Sequence, residues 1–209
     1  MIKNIGKHRI RHGDIHDEKG IATLVGNRKA DIYYSDPPWG SGNLKYWDTM
    51  NKKMNNIDTS TGNFDVDVFL KTVLSHAADK TEGWVVIEYG KRWIQKVIDF
   101  AEEAGLTYCT QIETVYSGQN LPMEIIFFHT EGKMPLDATP IYHLKGYKCT
   151  REVFKLLRPA DGGLGMDLCC GMGYTAQACI DNNMSFVGNE LNRARLEKTI
   201  TRLRKDKNA

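Results

Sequence analysis

At 209 residues, 41% hydrophobic and 26% charged, the chain can bury one full core but is too short for two comfortable domains. A net charge of +2 and five cysteines without a Cys-x-x-Cys pair announce no strongly basic binder and argue against a disulfide framework or a zinc site. No apolar run reaches bilayer-spanning length, and residues 1–11 lack the apolar stretch of a secretory signal, so a cytoplasmic, reducing setting is expected.

In chain order, residues 8–12 read as a short strand closing in a turn at Gly13-Asp14. Residues 21–25 form a short helix or turn, broken by Gly26-Asn27, and 30–35 a buried strand. That strand runs into Asp36-Pro37-Pro38-Trp39. Each proline fixes φ and lacks an N–H, so the chain must leave the sheet at once. It does so holding a carboxylate, a rigid carbonyl-bearing turn and an indole together.

Residues 40–63 are polar and have neither helical nor alternating period. With Lys45, Tyr46, Trp47, Lys52 and Lys53, they suit a mobile loop closing over a nucleotide, the alternative being an idle surface loop. Val66, Phe69, Leu70, Val73, Leu74 and Ala77 have the spacing of an amphipathic helix over 65–78. A buried strand over 84–89 follows, then a helix marked by Trp93, Ile94, Val97, Ile98 and Ala101 and stopped by Gly105. Strands at 106–116 and 124–129, joined through Gly118 and Pro122, suggest an antiparallel pair.

After a connector holding Pro135 and Pro140, Thr150 reads as the N-cap of a helix reaching Arg158, with Pro159 ending it. A strand at 165–169, a glycine-rich loop, a helix at 174–182 and a strand at 185–188 come next. Asn192 then caps a basic helix bearing Arg193, Arg195, Lys198, Arg202, Arg204, Lys205 and Lys207. That run is either a solvated face or a phosphate-facing one.

Strands alternating with helices predict an α/β fold: one doubly wound, mostly parallel sheet with an antiparallel pair at an edge, forming a single domain over 1–209. Ligands of such sheets bind beyond the carboxyl ends of the strands. The loop Asp167-Leu168-Cys169-Cys170-Gly171-Met172-Gly173 is expected there, where its glycines admit close backbone approach and the next helix aims N–H groups at an anion. Glu190, about 20 residues on, taken alone reads as an ordinary exposed carboxylate, but after this loop it is placed to accept from both hydroxyls of a ribose. Ala176 stands where a dinucleotide fingerprint has its third glycine, which leaves a nicotinamide cofactor as an alternative.

Asp36-Pro37-Pro38-Trp39 together with this glycine loop resembles the amino-methyltransferases, which methylate the exocyclic nitrogen of adenine or cytosine. The resemblance spans nearly the whole chain, and the motif order is that of permuted members. It implies a Rossmann-like methyltransferase sheet and S-adenosylmethionine as cofactor. Asp36, Pro37, Pro38 and Trp39 become the catalytic residues, and Asp14, Ile15, Asp36, Lys148, Asp167, Cys169, Gly171, Gly173, Glu190 and Asn192 the cofactor contacts. Asp14 is equally well an ordinary turn residue, and Lys148 lies in a segment, 142–150, that does not clearly match the family pattern.

The resemblance points to adenine N6 in DNA. RNA adenine and a non-catalytic nucleic-acid-binding subunit are rivals. Cytosine N4 is less favoured because its enzymes more often carry Ser-Pro-Pro-Tyr, and no cysteine follows a proline as cytosine C5 methylation would require. Residues 130–140 are too short for an inserted recognition domain. Either the 40–63 loop reads the target, a homodimer partner or separate specificity subunit does, or specificity is low.

Overall fold

The computed structural model describes residues 1–40, 49, 65–115 and 121–206. The 40–63 loop, apart from Gly40 and Thr49, and the 116–120 connection lie outside them. The described chain builds an eight-stranded sheet in the order β1-β2-β8-β7-β3-β4-β6-β5. Its strands are β1 (Ile2–Ile5), β2 (His8–His12), β3 (Ala30–Ser35), β4 (Thr81–Gly90), β5 (Thr107–Val115), β6 (Pro122–His129), β7 (Leu164–Asp167) and β8 (Ser185–Glu190). From β2 to β4 all neighbours are parallel. β6 runs antiparallel between β4 and β5, the edge pair that the sequence predicts.

Helices cover both faces. α1 (Glu18–Val25), α2 (Val66–Lys80) and α3 (Ile94–Glu103) bury Leu24, Leu70, Val73, Leu74 and Val97 against one side. α4 (Tyr147–Leu157), α5 (Tyr174–Asp181) and α6 (Arg193–Leu203) bury Val153, Phe154, Ala178, Leu196 and Ile200 against the other. The central strands are apolar on both faces because both are covered. In β3, Ile32 and Tyr34 face the α4–α6 layer while Tyr33 faces the α1–α3 layer. Each fully buried side chain of this size contributes roughly 1.5–3 kcal/mol.

Two expectations need correction. β1 is absent from the sequence reading; it pairs antiparallel with β2 from Ile2↔Arg11 to Ile5↔His8, so a hairpin closes this edge. Thr150 is not an N-cap. α4 begins at Tyr147 after Gly146, whose φ of 55° suits glycine and whose carbonyl accepts the Cys149 N–H at 2.9 Å. Thr150 is buried in the first turn instead. The Asn192 cap is as expected, its side chain accepting the Arg195 N–H at 3.0 Å. Among the described residues no helix is long and apolar enough to cross a membrane.

Candidate active site

The Asp36 turn starts where β3 ends, its pairing with β4 stopping at Ser35↔Ile87. Two aromatic residues hold the turn in place. The Tyr89 hydroxyl donates to the Pro38 carbonyl at 3.3 Å, and the Gly40 N–H donates back to that hydroxyl at 3.3 Å. The Trp39 indole N–H donates to Asp36 Oδ1 at 3.0 Å. The ring lies over Gly90, where an added Cβ would stand 3.1 Å from Trp39 and 2.8 Å from Trp93. Pro37 is buried, Pro38 and Trp39 are half-buried, and Asp36 is exposed. A rigid turn thus offers one carboxylate to solvent with its orientation set by an indole.

The glycine loop is tied down by its carbonyls. Thr199 Oγ1 of α6 donates to the Gly171 carbonyl at 3.0 Å, and Arg202 Nε to the Met172 carbonyl at 2.9 Å. Glu190, at the end of β8, takes the Gly171 N–H on Oε2 and the Asn192 N–H on Oε1, each at 2.7 Å. So Glu190 shapes the loop as well as bordering it, and Asn192, buried, works through Glu190 and the α6 cap. Asp167 is buried and accepts from Ser35 Oγ (3.2 Å), Thr175 Oγ1 (2.6 Å) and the Cys169 N–H (3.0 Å). Burial, reinforced by Glu190, pushes its carboxyl up to about 7 against the pull of these donors.

The two segments meet. β3 and β7 are direct neighbours through Tyr33↔Met166, and the Ser35–Asp167 bond joins the residue before Asp36 to the start of the glycine loop. Cys169 stands between them. Burial pushes its thiol well up, and the charges of Asp167, Glu190, Asp14 and Asp36 all push the same way. Arg195, on the first turn of α6, acts on both Asp36 and Glu190 and lowers each. The Asp36 carboxyl is pushed up by the protein around it and by Glu88, while the Trp39 hydrogen bond and Arg195 oppose; its exposure lets water blunt the effect. Cys170 is buried packing under Gly188.

Other expected residues sit less directly. Asp14 is at the site's edge, but its Oδ1 accepts the His16 N–H at 2.9 Å and meets His16 Nδ1 at 2.8 Å, a turn-forming role. The Ile15 side chain packs into the α1–α3 core, 4% exposed. Lys148 is exposed on the first turn of α4, whose buried Cys149 and Thr150 face Tyr34 and Glu88 instead.

Glu88 is the residue that sequence reasoning missed. It is partly buried near the end of β4 and accepts the Tyr34 hydroxyl on Oε1. Loss of solvent, with Asp167 adding, pushes its carboxyl up to about 7 against the Tyr34 bond. The signal was available: one acid interrupts the otherwise apolar run 84–89.

No family model matches the chain, and no curated protein matches it. Solved structures do. M1.HpyAVI aligns with 93% of this chain and 97% of its own, at 18% identity and a TM-score of 0.64. TTHA0409 of Thermus thermophilus, a proposed DNA modification methylase, aligns over 95% of both chains at 13% identity and a TM-score of 0.67. The PvuII DNA methyltransferase, cytosine-N4-specific, aligns over 95% and 90% at 12% identity and 0.64. The chain has the methyltransferase fold. M1.HpyAVI and TTHA0409 have also been solved with S-adenosylmethionine. In this methyltransferase fold the Asp36 turn and the glycine loop end adjacent strands, β3 and β7.

Proposed function

We propose that the chain is an S-adenosylmethionine-dependent methyltransferase acting on an exocyclic amino group in DNA, the N6 of adenine. The observation that carries the reading is the junction of the Asp36 turn with the glycine loop, bridged by Ser35 and Asp167 at 3.2 Å. The M1.HpyAVI and TTHA0409 complexes with this cofactor support it.

The residues present fit such a cofactor. Asp14, Asp36, Asp167 and Glu190 surround Cys169, with Arg195 the opposing charge that acts on Asp36 and Glu190. An acidic surround favours a ligand carrying a sulfonium and disfavours the pyrophosphate of a nicotinamide dinucleotide. The amides opening α5 suit the ligand's carboxylate, and Glu190 suits its ribose hydroxyls. S-adenosylmethionine supplies an electrophilic methyl group.

The chain's own contribution is to make an amine nucleophilic. The lone pair of an adenine amino group is delocalised into the ring. Asp36 and the Pro37 carbonyl, each accepting one N–H, draw both hydrogens out of the ring plane and favour the tetrahedral nitrogen reached in attack, a gain specific to the transition state. The Tyr89 clamp on Pro38 and the Trp39 bond to Asp36 fix these acceptors beforehand. The half-buried indole offers a face on which an extruded base can stack, returning part of its unstacking cost.

Cytosine N4 is the second reading, favoured by the likeness to the PvuII enzyme, because the same acceptors serve either amine. The test is transfer of labelled methyl groups to single- and double-stranded DNA and RNA, followed by digestion and identification of the modified base. N6-methyladenine in DNA is the expected product. Asp36→Ala should lower kcat about 100-fold or more while cofactor affinity, measured by calorimetry, stays within about threefold. A wild type that binds the cofactor yet labels no nucleic acid overturns the substrate assignment; one that binds no cofactor overturns the whole reading in favour of a non-catalytic subunit.

A further inference from the structure

α6 turns one face to the glycine loop. Arg195, Lys198 and Arg202 recur at i, i+3 and i+7, the spacing of a single helical face. Arg202 Nε donates to the Met172 carbonyl at 2.9 Å, and its guanidinium carbon stands 5.2 Å from the centre of the Tyr174 ring. Lys198 Nζ donates to the Met172 thioether at 3.6 Å. Tyr174 in turn lies 6.0 Å, ring centre to ring centre, from Tyr147 at the start of α4. Arg195, one turn before Lys198, acts on Asp36 and Glu190, so the row runs from the candidate site out to the two rings.

Two features set this row apart from an ordinary solvated face. Among the described residues neither Lys198 nor Arg202 pairs with a carboxylate; a thioether, a carbonyl and a ring hold them. The one acid of α6, Glu197, meets Lys3 at 3.4 Å. Asp181, two turns along α5 from Tyr174, is engaged by the Tyr147 hydroxyl and, at 2.8 Å, by Gln177 Nε2. Exposed lysines elsewhere do pair: Lys71 with Glu103 at 2.8 Å and Lys96 with Asp67 at 2.9 Å. Beside the unneutralised charges, Met172 and Tyr174 leave 37% and 47% of their surface in solvent. Cations and rings exposed together at the lip of a cleft suit a ligand that is both anionic and aromatic.

We propose that this surface binds single-stranded DNA beside the base being modified, Lys198 and Arg202 meeting its phosphates and Tyr174 stacking on an unpaired base. The inference rests on the DNA methyltransferase reading and adds to it a preference for an unpaired strand. Cations that track a backbone and rings that stack on bases are the two components of single-strand recognition. In a duplex the bases already stack on one another, and a surface ring gains nothing there without paying to unstack them. The guanidinium over Tyr174 fixes the ring by a cation–π contact before any base arrives.

Arg202→Ala would also release the Met172 carbonyl, so the test uses Tyr174 and Lys198. The probe is oligothymidylate of about 15 nucleotides, which carries phosphates and stackable bases but no amino group for Asp36. Its binding is followed by fluorescence anisotropy across a salt series, with circular dichroism melting to show that each variant is folded. Tyr174→Ala should weaken binding about fivefold to a hundredfold at fixed salt, and Tyr174→Phe, which keeps the ring, should stay within about twofold of the wild type. Lys198→Ala should reduce the slope of log K against log salt by about 0.7, one phosphate contact. A thymidine–adenine duplex of the same length should bind more weakly and ignore Tyr174→Ala. A methylating wild type whose Tyr174→Ala and Lys198→Ala variants bind oligothymidylate with unchanged affinity and slope overturns the inference and leaves the functional reading standing. Tighter binding of the duplex overturns the single-strand preference, and tighter binding of oligouridylate overturns DNA as the occupant. A wild type that holds oligothymidylate through these two residues yet methylates no nucleic acid overturns the functional reading and leaves the surface established.

Discussion

Gly173 shows how narrowly the glycine loop is built. Its φ is 80°, a region unfavourable to any residue with a Cβ, and an added Cβ would stand 2.7 Å from Thr199 Oγ1 and 3.0 Å from Thr199 Cα. Gly171 also has positive φ, 51°, but open space, the nearest atom being the Cys169 carbonyl oxygen at 3.9 Å. Gly171→Ala should therefore cost about 1 kcal/mol of stability, from backbone strain alone. Gly173→Ala should cost clearly more, about 2–4 kcal/mol, since strain and collision with the α6 backbone add. Urea unfolding of both variants decides it, and equal losses would show that the loop yields freely. The sequence marked both glycines as loop residues, but the contact separating them comes from α6, a helix starting some twenty residues later, and no local pattern displays it.

Between elements, Asp167 is the joint, holding β3 through Ser35, α5 through Thr175 and its own loop through the Cys169 amide. Its folded-state carboxyl lies at about 7, above the ordinary value near 4 that it regains on unfolding. The folded form thus holds a proton that the unfolded form has lost over that interval. The contribution of Asp167 to stability must decline as pH rises from about 4 to about 7 and level off above. Asp167→Asn should flatten the fall in unfolding free energy between pH 4 and 7, measured without cofactor; a slope unchanged from the wild type would rule Asp167 out as its source. Buried Glu190, also pushed up, leaves the variant some residual slope.

At this scale most of the architecture was legible. Helices with strong 3.6-residue periodicity, such as α2 and α3, and apolar strands such as β3 and β4 declare themselves through local composition. The misses are elements completed by distant partners. Ile2-Lys3-Asn4-Ile5 does not alternate and becomes a strand only by pairing with β2. The start of α4 is set by Gly146, while Thr150 resembles a cap chemically but is buried in the helix's first turn. The candidate site was legible as two motifs; that they are neighbours is a property of strand order, which the linear chain does not print.

Over the whole molecule, β2 pairs with β8 from Arg9↔Val187 to His12↔Glu190, so the earliest and latest described segments lie side by side. His8 Nε2 meets Asp206 Oδ2 at 2.9 Å, and Lys3 Nζ meets Glu197 Oε1 at 3.4 Å. Met1 pairs with His12, at the far end of β1 from Asp206, so a linker long enough to run the length of that strand can join the first and last described segments while new ends are opened in the turn at Glu131-Gly132-Lys133. Such a circular permutant should fold and bind S-adenosylmethionine within about threefold of the parent, as tolerated permutations at exposed turns do. Failure to bind, in a folded permutant, would mean that the site needs the 129–134 backbone intact.

The parallel pairing of β2 with β8 sets the earliest and latest described strands side by side, as in a ring, and a ring has no first motif. Where such a sheet is cut changes the reading order of the motifs while the Asp36 turn stays beside the glycine loop. Kinship among such proteins is then better traced by which strand lies beside which than by the succession of motifs from one terminus to the other.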